Sequence, residues 1–142
     1  MIALNDWKDA ERNDVLRDFL RYGDKGREEA FKIFDGVNIL FASYGYQNYS
    51  GDAFVLFEKE GDLFEVNGSH CSCYGLEGQW EPTPVSIEEL EHRLKNGRLG
   101  QDDWCGNQFA EELKIFLNEL KHKTSEERDA KTTTFTTSGG VV

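Results

Sequence analysis

The chain has 142 residues and a formal net charge of −11, with ten Phe, five Tyr and three Trp supplying much of its apolar area. That length suits one core, in which about two-thirds of the unfolded surface is buried. The acidic balance argues against direct binding to a phosphate backbone, and no run of about 18 apolar residues is available to cross a membrane. The N-terminus lacks the charged, apolar and small-residue regions of a secretory signal. The expectation is therefore a cytoplasmic protein whose three cysteines stay reduced.

Asn5 or Asp6 is positioned to cap a first helix, along which Val15, Leu16, Phe19 and Leu20 recur at helical spacing until Tyr22-Gly23. After the charged turn from Asp24 to Glu29, a short helix is expected through Ala30, Phe31 and Phe34, closed by Asp35-Gly36. From Val37 the pattern turns β-branched and aromatic, which predicts a strand over residues 38–44. Ala53-Phe-Val-Leu-Phe-Glu repeats that behaviour. Lys59-Glu60-Gly61-Asp62 then reads as a hairpin turn into Leu63-Phe64-Glu65-Val66. Strands apolar on both sides need cover on both sides. The expectation is helices over one face and the loop from 67 to 82 over the other face or an edge.

Pro82 and Pro84 close that loop. Ser86 is the expected N-cap of the next helix, with Glu89 three residues on and Val85 placed to staple against Leu90. Asn96-Gly97 ends it. A last helix follows, with Phe109, Leu113, Phe116, Leu117 and Leu120 on one stripe and its cap open between Asp102, Asp103 and Asn107. Beyond Lys123 the apolar pattern fades into a Thr, Ser and Gly-rich segment, expected to be disordered. The fold class that results is α+β: a three-stranded antiparallel meander flanked by N-terminal and C-terminal helices. The domain is expected over 1–123 and the tail over 124–142.

Chemistry concentrates in Asn67 to Pro82. His70, Cys71 and Cys73 lie within four residues, with Cys105 later in the chain. These are tetrahedral zinc donors, although Cys-x-Cys beside a histidine is not the paired spacing of structural zinc sites. The same residues invite a cysteine nucleophile with His92 or His70 as base and Asn67 as orienter. A different signal lies between the first two strands, where Ser43 to Asp52 carries Tyr44, Tyr46 and Tyr49 among Ser, Gly and Asn. Tyrosine offers large contact area with few torsions to freeze, so this stretch reads as a recognition loop. From Glu58 to His92 nine carboxylates face the single Lys59, a local charge of −8. Glu88, Glu89 and Glu91 sit at its helical end and favour a basic protein surface as partner.

The runs Phe41-Ala-Ser-Tyr-Gly-Tyr, Ser50-Gly-Asp-Ala-Phe-Val-Leu-Phe-Glu and Val66-Asn-Gly-Ser-His-Cys-Ser-Cys-Tyr-Gly-Leu-Glu-Gly-Gln-Trp-Glu-Pro resemble small proteins encoded by bacteriophages and prophages. The resemblance covers residues 5–120. It implies a genomic setting and carries no catalytic residue with it; small acidic phage proteins of this kind often bind a host protein. Two functions follow from the sequence. One is an acidic protein-binding module, a phage modulator of a host factor in the host cytoplasm. The alternative is a small enzyme or zinc-binding domain centred on the Cys/His loop.

Overall fold

The computed structural model describes residues 1–47, 50–71, 75–102 and 106–137, with side chains described as far as Lys123. The chain divides into two units, Met1–Ala110 and Glu111–Val142. The first is an α+β unit built on a five-stranded mixed sheet in the order β1-β2-β3-β4-β5. Its centre is the predicted antiparallel meander: β2 (Asn38–Gln47), β3 (Ser50–Lys59) and β4 (Asp62–His70). The expected hairpin turn is present. Glu60 at φ 55° and Gly61 at φ 87° supply the two left-handed residues that match the twist of the flanking strands.

Two edge strands extend the three-stranded expectation. β1 (Ile2–Asn5) runs parallel to β2, pairing Ile2 with Phe41 and Asn5 with Tyr44. β5 (Thr83–Pro84) runs antiparallel to β4, at an edge where proline, lacking an N–H, is tolerated. Of the two residues read as the first helix's cap, Asn5 therefore ends a strand and Asp6 lies in the turn after it. Asn5 turns out of that strand at φ 59°. The helix itself, α1 (Arg12–Arg17), starts later and is capped by Glu11, whose side chain and that of Asp14 satisfy each other's backbone amides.

Parallel β1 and β2 cannot be joined by a tight turn, so the connection crosses a face of the sheet. It carries α1 and a 3-10 helix (Glu28–Phe34) over what is here called the first face. Arg12 ties the two together, donating from Nε to the Val37 carbonyl at 2.9 Å and from Nη2 to that of Phe34 at 2.7 Å. Register sorts the meander's side chains by face. Ile39, Phe57 and Phe64 are in one cross-strand row, followed by Ala42, Val55 and Val66, then Tyr44, Ala53 and Gly68, then Tyr46, Gly51 and His70. A register shift between Ile39 and Phe41 keeps both residues buried, on opposite faces, as a bulge does.

The first face packs against Trp7, Val15, Leu16, Phe19, Leu20, Phe34 and Leu76. Trp80 lies among them, its ring 5.2 Å from Phe57 in a stack and 5.0 Å from Phe34 edge-on. The loop after β4 thus shares a face with the N-terminal segments, where the sequence had placed it across the sheet or at an edge. Its aromatic and leucine side chains complete that core, and its first four residues, Asn67 to His70, belong to β4. The second face is covered by Phe109, stacked on Phe54 at 4.9 Å, and by α2 (Ile87–Asn96), whose Leu90 is buried.

The start and stop signals of α2 hold. Ser86 Oγ accepts from the Glu89 amide at 3.1 Å, and Gly97 follows its last residue. Glu65, on the second face, is only 5% exposed and binds the Arg93 guanidinium of α2 through both its oxygens. The described residues of the second unit belong to α3 (Ala110–Thr137), a helix with Leu113, Phe116, Leu117 and Leu120 on one stripe. It begins after Asn107, which does not cap it: Asn107 is buried, and its Oδ1 accepts from Ser43 Oγ at 2.6 Å. Asp103, the other open cap candidate beside Asp102, lies outside the described residues.

Candidate functional site

The predicted residues Tyr44, Tyr46 and His70 meet at the end of the sheet on its first face. Tyr46 and His70 face each other across β3, and the residue between them in register is Gly51. Because glycine has no side chain, the two rings close over it and stack, with centroids 4.4 Å apart and planes 18° from parallel. Tyr44, two residues back on the same side of β2, places its hydroxyl 2.7 Å from His70 Nδ1. One imidazole is thus held from two directions: by a ring on its face and by a phenol on its edge.

The space is tightly bounded. A Cβ at Gly51 would lie 2.9 Å from both the Gly45 carbonyl and His70 Nδ1, and 3.0 Å from the Tyr44 ring. Tyr44 also packs on Trp7, centroids 5.1 Å apart. Trp7 in turn donates from Nε1 to Asp18 Oδ2 at 2.8 Å. Beside the next row, Gln79 binds the outer edge of β4 as a strand would, accepting from Ser69 N at 2.8 Å and donating to the Ser69 carbonyl. Its Nε2 also donates to the Gly75 carbonyl at 2.8 Å, so the 75–79 segment, including Glu77, is pinned at the margin of the site.

Burial pushes the Tyr44 phenol well above its ordinary range, and the carboxylates of Asp18 and Asp6, the neighbouring Tyr46, and Glu77 push it the same way. Tyr44 therefore stays a phenol and donates its proton. His70, accepting at Nδ1 in its neutral form, then carries its own hydrogen on Nε2. The Tyr44 phenol is thus not an activated nucleophile, since the shift moves it away from working pH. The three rings form a rigid aromatic surface: Tyr46 is still 43% exposed, and Asp6, Asp18 and Glu77 from three separate segments act on the adjacent Tyr44.

The remaining predicted residues do not gather here. Cys71 is half-buried and follows His70 at the opposite parity of the chain; Cys73, Cys105 and Tyr49 lie outside the described residues. Among the described residues no group of three or more His, Cys, Asp or Glu side chains is placed to hold a metal ion. Glu88, Glu89 and Glu91 are on α2, which covers the second face through Leu90 and the Arg93–Glu65 pair. Tyr44 and Tyr46 are thus on the opposite side of the sheet from these helical carboxylates. Glu89 spends part of its charge locally, 3.2 Å from Arg93. Sequence reasoning gave Gly51, Gln79 and Asp18 no role, took Asp6 for a helix cap, and counted Glu77 only as one of nine carboxylates. A usable signal existed only for Gly51: two tyrosines at i and i+2 opposite a glycine-bearing strand.

A second concavity lies on the other face. It is a cavity of about 220 Å³ with Phe54 and Phe109 in its apolar wall and Asp52, Asn67, Arg98 and Asn107 among its polar lining. Ser43 and Asn5 extend its hydrogen-bonding flank, with Asn5 Nδ2 donating to Ser43 Oγ at 2.7 Å. No helix among the described residues is long and apolar enough to cross a membrane. Compared with protein-family models, with curated proteins and with solved structures, the chain matches none.

Proposed function

We propose that this chain is a protein-binding module whose contact surface is the Tyr44–Tyr46–His70 face, and that its partner presents a basic surface. The observation that carries this reading is a tyrosine 43% exposed yet immobilised by stacking on His70. Binding costs the freezing of side chains, and a ring already held in place has less freedom to lose. Tyrosine is also among the residues that dominate interface energies. The carboxylates of Asp6, Asp18 and Glu77 around Tyr44 select a cationic complement, and the net charge of −11 speeds its approach. The resemblance to small phage-encoded proteins supports a host protein as that partner. Glu88, Glu89 and Glu91 act in this scheme as long-range attraction from the other side of the sheet.

The test places a photo-crosslinking residue at Tyr46, identifies the captured protein by mass, and measures its affinity for the parent chain in purified form. Tyr46→Ala is expected to weaken the purified complex about tenfold or more, as loss of an interface anchor does. Charge reversal at Glu88 and Glu89 should instead slow association and leave dissociation nearly unchanged. A purified partner indifferent to Tyr46→Ala would sink the reading.

A further inference from the structure

The stacked pair has one ring face in contact and one turned outward. His70 covers one side of the Tyr46 ring at 4.4 Å, and the residue as a whole is 43% exposed. Three carboxylate-bearing side chains lie on separate segments around the neighbouring Tyr44. Asp6 follows β1, where its amide donates to the Tyr44 carbonyl at 2.7 Å. Asp18 follows α1 and holds Trp7. Glu77 lies in the segment that Gln79 pins to β4.

We infer that the outward face of Tyr46 receives an arginine side chain of the partner, its guanidinium lying flat on the ring that His70 backs. The inference rests on the protein-binding reading and names the chemistry of the contact. A cation over an aromatic face within about 6 Å of its centroid is attracted by the ring quadrupole. The guanidinium suits this site better than an ammonium for two physical reasons. It is planar and weakly hydrated, so it can extend a near-parallel stack of two rings, and it presents five donors at its edge, where a lysine presents a compact, strongly hydrated charge. Asp6, Asp18 and Glu77 around the adjacent Tyr44 favour a cation at this end of the sheet, and Tyr44 stays protonated, so its hydroxyl adds no charge of its own.

The experiment uses the full chain, labelled in its tyrosine and histidine rings, titrated by NMR with three blocked tripeptides: Gly-Arg-Gly, Gly-Lys-Gly and Gly-citrulline-Gly. The arginine peptide is expected to shift the Tyr46 and His70 ring signals with an affinity about threefold or more above that of the lysine peptide, and citrulline to leave them in place. Tyr46→Leu should abolish the His70 response while the Trp7 indole signal, reporting the first-face core, stays put. Equal response to lysine and arginine overturns the inference and leaves a cation-seeking surface in place. So does a response centred on the α2 amides instead of on Tyr46. If no peptide shifts the rings, yet Tyr46→Ala still weakens the purified partner, the arginine contact is overturned and the protein-binding reading survives. Arginine-selective shifts at Tyr46 with a partner indifferent to that residue would leave the site standing and remove the partner.

Discussion

Tyr46 and His70 stand on strands that are not neighbours, yet their rings stack at 4.4 Å, because the strand between them offers Gly51 at that row. Any side chain there would sit where the rings meet. The stacking is therefore a property of three strands in register, and the glycine is part of the site as much as either ring.

Gly51→Ala tests this directly. The added methyl would lie 2.9 Å from a backbone carbonyl and from His70 Nδ1, and the carbonyl cannot swing away as a flexible side chain would. Overpacking of this kind costs about 1–3 kcal/mol. Chemical denaturation should show that loss, and the His70 ring signals should move as the Tyr44 hydrogen bond lengthens. An unchanged ring environment would mean the strands separate locally instead.

Glu65 makes the second prediction. Its carboxylate is buried, takes both arms of Arg93, and also accepts from Asn67 Nδ2 at 2.8 Å. Glu65→Ala leaves the guanidinium with only the exposed Glu89 as partner, at a cost of about 3 kcal/mol, the lower end for a broken buried pair because Arg93 is one-third exposed. The double variant Glu65→Met with Arg93→Met removes both charges together. It should recover most of that loss in thermal melting, and a double variant no better than the single would refute the pairing account.

Gln79 is the third. Its side chain stands in for a strand beside β4, with bonds to both backbone groups of Ser69 and to the Gly75 carbonyl. Gln79→Ala should cost about 1–2 kcal/mol, from bonds worth roughly one each at best on a partly exposed edge. Hydrogen exchange at the Ser69 amide should accelerate sharply. Gln79→Glu should be worse than alanine above neutral pH, since an anionic oxygen would face two carbonyls.

The fourth concerns pH. Tyr44 is raised from its ordinary 10.0 in the folded protein, chiefly by burial. Below that value the phenol is protonated in both the folded and unfolded states, and its contribution to stability is complete. As pH rises through 10 the unfolded chain releases the proton and the folded one does not, so stability falls until the folded phenol also ionises. Denaturation midpoints should drop from pH 9.5 to 11.5 in the parent chain, and less steeply in Tyr44→Phe. Parallel slopes in the two proteins would show that other groups govern the alkaline transition.

Much of the architecture was legible in the residues because it depends on local rules. Ser86 caps α2 since its hydroxyl reaches an amide three residues on. Glu60-Gly61 turns the hairpin since those two positions tolerate left-handed backbone. The apolar runs of β2, β3 and β4 announce strands buried on both sides, and α1 shows its stripe. What the residues could not announce were elements that exist by pairing alone. Ile2–Asn5 has four residues and no alternation to speak of; it is a strand because β2 offers it an edge. Thr83–Pro84 is a strand for the same reason.

The site divides along the same line. Tyr44 and Tyr46 could be chosen from the sequence as residue types suited to recognition, His70 only as a metal donor or base, and the negative charge suited to a basic partner could be counted. Only the tertiary structure decided that Tyr46 and His70 meet over Gly51, that Asp6, Asp18 and Glu77 act on Tyr44, and that Glu88 and Glu89 belong to the opposite face. Composition and periodicity act over a few residues of chain, whereas which side of a sheet a residue occupies depends on strand register. A shift of one residue would exchange every side chain between faces, and the bulge between Ile39 and Phe41 settles that parity for all of β2.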